Sequence, residues 1–223
     1  MTNSLPTSHT KRVADFLSKV KASQRGRLLF IVDATGSRAR AWDMASKLQA
    51  DMFNEAAKFG TLDIQICYFR GGAFVPAECQ ASLWTSDARE LSSFMARVTC
   101  QTGETQYRKA LEHARREHQA QPINAIVIVG DMIEETPTAL CDATAALSGV
   151  PLFLFQEGGD LIAGEVFPEM ARLSRGAYSK FTAGSARELA ELLRAVAAFA
   201  VGGLTALADQ HTDSARKLLG QLK

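Results

Sequence analysis

The sequence has almost no excess of charge of either sign: 25 Lys and Arg against 24 Asp and Glu, a net charge of +1. That argues against a general binder of nucleic acid or other polyanions, which shows a clear basic excess. Cysteine is scarce, with only Cys67, Cys79, Cys100 and Cys141, and no two are spaced as CxxC. A disulfide framework and a zinc ribbon are excluded on that count, and the thiols read as reduced. The four histidines, His9, His113, His118 and His211, fall in no HExxH or Cys/His pattern. No apolar run of ~18 residues is free of a charge or a turn signal, so no membrane span is expected. The first residues, MTNSLPTSHTKR, hold no apolar stretch of the kind that opens a secretory leader. Together these absences predict a cytoplasmic protein. A phosphate-binding G-x-x-x-x-G-K-[ST] loop and a G-x-S-x-G nucleophile elbow are also missing. There is no internal repeat, low-complexity tract or domain-scale linker.

What is present is an ordinary globular composition: 223 residues, 47% hydrophobic and 22% charged. A basic amphipathic segment, Thr10–Ser23, predicts an entry helix. Leu28 to Val32 is continuously apolar, as in a strand buried on both faces of a parallel sheet, and it ends at Asp33. Trp42, Ala45, Leu48, Met52, Ala56 and Phe59 recur at helical spacing, with Gly60 as a stop. LDIQICYF (62–69), Gly71-Gly72 and AFVPAECQASLW predict a β-hairpin, and Pro76 puts its second strand at a sheet edge. Helices are expected from Ser86 to Val98, from Gln106 to Gln119, from Thr138 to Leu147, from Phe167 to Leu173 and from Ser185 to Ala200. Between them lie the strands NAIVIVGD (124–131), VPLFLFQEG and AYSKF, with EGGD (157–160) as a plain turn. After Gly202-Gly203 comes a last amphipathic segment, Leu204 to Leu222, expected to pack on its own domain. Strands alternating with helices predict an α/β fold: a Rossmann-like, doubly wound, mostly parallel sheet with one antiparallel edge strand and helices on both faces.

In such sheets ligands bind beyond the carboxyl ends of the strands. Asp33 and Asp131 each close a fully apolar strand there. Asp33 is followed by Thr35 and Ser37, so D-x-T-x-S places three oxygen-bearing side chains on alternate residues of one turn. The loop QTGETQ adds Thr105 ahead of its helix. Carboxylates and short hydroxyls are the ligands of a hard divalent cation. The same residues also serve as helix caps, so a metal-free reading stays open.

DATGS (33–37), GETQYRKAL (103–111) and IVIVGD (126–131) together resemble the von Willebrand factor A domain with its metal-ion-dependent adhesion site, whose pattern is D-x-S-x-S, then G-G-T-x-x-x-x-A-L, then an Asp after a later strand. The hairpin YFRGGAFVPAE and FPEMARLSRGAYSKF (167–181) are similar to further parts of that domain. Thr35 stands where the first Ser is usual, Glu104 for the second Gly, and Arg38 where Met is frequent. The resemblance implies a domain over residues 26–201, with an N-terminal helical extension (1–25) and a C-terminal amphipathic helix (202–223). It implies that Thr35, Ser37 and Thr105 offer oxygens to Mg²⁺, or to Mn²⁺ or Ca²⁺, with Asp33 and Asp131 binding directly or through water. It also implies a non-enzymatic module whose protein partner completes the coordination with an acidic side chain. Neither nucleic acid nor a membrane is expected as a partner.

An enzyme reading competes. DATGS and GDMIEE (130–135) are also similar to haloacid-dehalogenase-type phosphatases. There Asp33 would be the nucleophile, Asp131 and Glu135 would hold Mg²⁺, and Lys109 would stabilise charge. Against it, Thr35 stands where the acid–base carboxyl belongs and has no suitable pKa. The helix following Ser37 also leaves no room for a cap. Arg115-Arg116 and Lys11-Arg12 read as solvated faces.

Overall fold

Strand β1, Gly26–Asp33, is buried along its whole length, as the unbroken apolar run requires. The computed structural model describes residues 25–38, 62–72, 74–181 and 185–222. The helices expected at Thr10–Ser23 and Trp42–Phe59 lie outside the described residues. β2 (Leu62–Gly72) pairs parallel to β1, and β3 (Val75–Ala81) turns back antiparallel on β2. β4 (Ala125–Gly130), β5 (Leu152–Glu157) and β6 (Ala177–Phe181) extend the other side, all parallel. The order is β3-β2-β1-β4-β5-β6. Pro76 sits in β3, the outermost strand, where a missing N–H costs no ladder bond.

The chain order reverses between β1 and β4, so the loops leaving those two strands diverge and open a crevice at their carboxyl ends. That is where Asp33 and Asp131 stand.

Period-two alternation divides the sheet residues between two cores. Leu28, Phe30, Val32, Val127, Val129 and Phe153 face one layer of helices. That layer holds α1 (Ala88–Met95), α5 (Ala186–Ala208) and α6 (Asp213–Leu219). Leu29, Ile31, Phe69, Ile126, Ile128 and Leu154 face the other, with α2 (Tyr107–Ala120), α3 (Pro137–Ala145) and α4 (Leu161–Leu173). Each large side chain among these is fully removed from water, worth roughly 1.5–3 kcal/mol apiece.

Three elements differ from the sequence reading. Helix α4 begins at Leu161, not Phe167, because the Asp160 carboxylate accepts the Ala163 N–H at 2.7 Å and caps it. Its first turn shows no amphipathic signal, since Leu161 and Ile162 face solvent. The segment after Gly202-Gly203 is not one helix. α5 runs on to Ala208 through non-helical Gly202 and Gly203. The chain then breaks at His211, which has φ 51°, and Thr212 caps α6 through the Ala215 N–H. Leu207, Ala215 and Leu218 are buried in the first core. Finally, Arg187–Ala208 is long and apolar enough, by length and composition, to cross a membrane. In this fold Leu189, Leu192, Leu193 and Val196 spend that apolar character on the sheet.

Candidate functional site

Asp33 is the last residue of β1 and has no exposed surface. Alternation sends its side chain to the face of Leu29 and Ile31, under α2. One carboxylate oxygen accepts the Thr35 N–H at 2.8 Å. A short 3₁₀ turn, Gly36–Arg38, follows and closes with the Arg38 N–H on the Thr35 carbonyl. It brings the Thr35 and Ser37 hydroxyls to 3.2 Å from each other. Thr35 is buried and Ser37 exposed, so the hydroxyl pair leads from the interior to the surface.

Asp131 directly follows β4. Its Oδ1 is buried with no hydrogen-bond partner among the described residues, an expensive state for a carboxylate oxygen. Burial pushes the Asp33 carboxyl up to about 6; the Asp131 charge adds to the rise, while hydrogen bonds from Thr35 and the Arg38 guanidinium oppose it. The Asp33 carboxylate and one oxygen of the half-buried Asp131 are thus held out of water, and the charge on Asp33 is only partly compensated.

Thr105 is tied elsewhere. Its hydroxyl accepts the Glu134 N–H at 3.0 Å, and its own N–H donates to the Glu134 carboxylate at 2.8 Å. Among the described hydrogen bonds, none joins Thr105 to Asp33, Thr35 or Ser37. It is anchored instead to the loop that starts with Asp131. Asp33, Thr35 and Ser37 thus share one turn, Asp131 lies within electrostatic reach of Asp33, and Thr105 is hydrogen-bonded to the β4–α3 loop that starts with Asp131.

The sequence reading missed several participants. Tyr107 is fully buried, and its hydroxyl points to the second Asp33 oxygen at 3.4 Å. Burial holds that phenol neutral, well above its ordinary range, so it remains a donor. Phe69 and Phe167 pack edge-on against its ring. Gly130 is required beside it: a Cβ there would lie 1.8 Å from the Tyr107 oxygen. Gly103 is required for a similar reason, because a Cβ would meet the Gly71 carbonyl at 2.0 Å. That contact brings the Thr105 loop onto the hairpin, where the Glu104 N–H also bonds Gly71.

The Glu135 carboxylate accepts the Tyr107 and Arg108 N–H groups at 2.6 and 2.9 Å. It caps α2, whose own N-cap residue Gln106 makes no side-chain cap. Both oxygens are engaged, so Glu135 does not stand ready as the Mg²⁺ ligand of the phosphatase reading. Lys109 donates to the Gln106 side chain. Arg38 is buried and paired with Glu157, while its Nε and Nη2 have no acceptor among the described residues.

No group of three or more His, Cys, Asp or Glu side chains that could hold a metal occurs among the described residues. The site offers a different donor set, two carboxylates with hydroxyls. That set, with the orphaned Asp131 oxygen, fits a small hard dication. Of the five candidates Thr105 alone lines an open cleft of about 490 Å³, together with Gly72, Glu104, Lys109, Glu134 and Glu135 among others.

No protein-family model and no curated protein matches the chain. Solved structures do. The SpRpn10 VWA domain superposes with a TM-score of 0.59 at 10% identity, covering 74% of this chain and 95% of that one. A von Willebrand factor type A protein from Catenulispora acidiphila gives 0.59 at 19% identity over 80% of this chain. The pilus adhesin SpaC from Lactobacillus rhamnosus GG gives 0.64 at 9% identity over 79% of this chain. The chain spans 43% of the second protein and 30% of the third. At such identities the likeness concerns architecture: the chain has the von Willebrand factor A fold.

Proposed function

We propose that this chain is a non-enzymatic binding module that holds one divalent cation, Mg²⁺ or a close relative. Asp33, Thr35, Ser37 and Asp131 would surround it, with Thr105 on the neighbouring loop. A protein partner would reach the ion with a carboxylate. The observation that carries this reading is the buried Asp131 oxygen without a partner, next to an Asp33 whose ionisation is already resisted. A dication relieves both at once, since it attracts two carboxylates whose contact with water is restricted. Mg²⁺ keeps several waters when bound, and one of these positions can be yielded to an incoming carboxylate. VWA-fold relatives include a pilus adhesin, which agrees with a role in contacting other proteins.

Thermal unfolding with and without millimolar Mg²⁺ tests the ion. A cation bound only by the folded state at a hundredfold over its Kd adds about 2.7 kcal/mol. For a chain of this size that is a rise of about 5–10 °C. Wild type should show it and Asp131→Asn should not. No rise in wild type, or an equal rise in the variant, overturns the reading. Proteins recovered on immobilised wild type in Mg²⁺ should be lost in EDTA and on Asp131→Asn.

A second reading has its own support. The Thr105 hydroxyl is occupied by Glu134, and the Arg38 guanidinium is buried within electrostatic reach of Asp33. A metal-free scaffold, in which these groups only brace the loops, predicts identical melting in Mg²⁺ and in EDTA.

A further inference from the structure

The four cysteines are not equivalent. Cys67 lies in β2, with 1% of its surface exposed, and Cys79 lies half-buried in the edge strand β3. Their register is diagonal: Cys67 stands opposite Ala81, and Cys79 opposite Phe69. Both side chains therefore project from the same face of the sheet, beneath α2, and their sulfurs are 3.7 Å apart. Cys100 and Cys141 have no such neighbour among the described residues. Disulfide sulfurs sit about 2.0 Å apart and their Cα atoms within about 7 Å, nearer than diagonal cross-strand partners usually stand, so closure needs a sulfur approach of roughly 1.7 Å together with a shift of the edge strand. Among the described residues the edge strand is the outer member of the sheet, with no strand beyond it to resist that movement.

We propose that Cys67 and Cys79 form a peroxide-sensitive dithiol that closes into a cross-strand disulfide. This inference is independent of the cation site.

The two thiols divide the work by position. Cys79 is the more exposed and faces Lys109 and Arg116 from α2, with Glu112 of the same helix opposing them. The hydrogen bond from Cys67 is the largest influence drawing the Cys79 thiol below its ordinary range, against the opposing effect of its own burial and with the two cations helping. The same bond, with burial, pushes Cys67 well up. The thiolate is the nucleophile, and its availability sets the rate. Burial pushes Cys100 up to about 11, away from that reactivity.

With a hydroperoxide as oxidant, the Cys79 thiolate attacks the outer oxygen, the O–O bond breaks, and an alkoxide or hydroxide leaves. It takes up a proton from solvent. Cys79 is then a sulfenic acid. Cys67 attacks that sulfur; the S–S bond forms and the S–O bond breaks. The departing hydroxide takes the Cys67 proton and leaves as water. Two electrons pass from the two sulfurs to one peroxide, which ends as water and the corresponding alcohol, or as two waters from hydrogen peroxide.

The test uses the full chain, reduced, desalted and treated with a small excess of hydrogen peroxide. It is then denatured and alkylated with N-ethylmaleimide. Untreated protein should carry four adducts and treated protein two. Trypsin should release residues 59–70, holding Cys67, linked to residues 71–89, holding Cys79. Cys79→Ser should abolish the linked pair, whereas Cys100→Ser and Cys141→Ser should keep it. Because Cys67→Ser buries a hydroxyl, Cys67→Ala is the matching second variant and should also abolish it. Four adducts after treatment would overturn the proposal. So would a Cys79 sulfinate with no link, or a link through Cys100, Cys141 or a second chain.

Discussion

Replacing Asp33 by Asn removes a charge from a place that water does not reach, and the structure sets both the sign and the size of the effect. In EDTA, the folded-state pKa is about 6 against an ordinary value of 3.8. A difference of about two units corresponds to about 3 kcal/mol. The folded state holds the proton more tightly than the unfolded one. Below about pH 4 the carboxyl is neutral in both states, and nothing is lost. As pH rises through the folded value, ionisation costs stability, and above about pH 6 the full penalty applies. Asn retains an oxygen for the Thr35 N–H and carries no charge. Asp33→Asn should therefore be more stable than wild type by up to about 3 kcal/mol near pH 8, with the gap closing toward pH 4. For a chain of this size that is a melting difference of about 6–12 °C. Urea unfolding across this pH range, in EDTA, measures it directly. In millimolar Mg²⁺ the order should contract or reverse, because only wild type keeps both carboxylates for the ion. A variant no more stable than wild type near pH 8 in EDTA, or a gap that does not narrow on acidification, would refute the burial argument.

Gly130→Ala should cost about 1–3 kcal/mol, because its methyl group meets the Tyr107 hydroxyl. Tyr107→Phe should return much of that loss, and a double-mutant cycle in urea reads the coupling. Glu135→Ala strips the acceptor from two N–H groups at the start of α2 and should cost about 1–2 kcal/mol in the same assay. Glu157→Gln leaves the buried Arg38 guanidinium without its counter-charge and should cost about 3–5 kcal/mol, whereas Arg38→Met with Glu157→Leu should recover most of the loss.

The parts of this molecule legible in its sequence are those fixed by local chemistry. Five consecutive apolar residues before Asp33 can be shielded on both sides only inside a parallel sheet. The Gly71-Gly72 pair and Pro76 then mark a hairpin and its edge. The same logic placed Asp33 and Asp131 at strand ends, and Thr35 and Ser37 on the turn between. What stayed hidden depends on contacts distant in the chain. Thr105 and Glu134 satisfy each other across 29 residues, so the loop motif alone could not show that the threonine hydroxyl was already engaged. Tyr107 reads as an ordinary core aromatic until the alternation of β1 turns Asp33 beneath it and Gly130 leaves room for its hydroxyl. Cys67 and Cys79 fit no spacing motif because antiparallel pairing, not proximity in sequence, brings their sulfurs together.

This division bears on the cation. The ligand types are encoded locally, in DATGS and in the aspartate after β4. How strongly they would hold an ion is set by groups the motif does not contain. Glu157 draws Arg38 toward β5, and Arg38 in turn lowers the pKa of Asp33. A guanidinium within electrostatic reach of Asp33 supplies part of the positive charge that a dication would bring, so it opposes the ion. Removing it while keeping the packing, as Arg38→Met with Glu157→Leu does, should tighten Mg²⁺ binding in a calorimetric titration. Unchanged or weaker binding would mean that Arg38 braces the loop and has no part in setting the affinity.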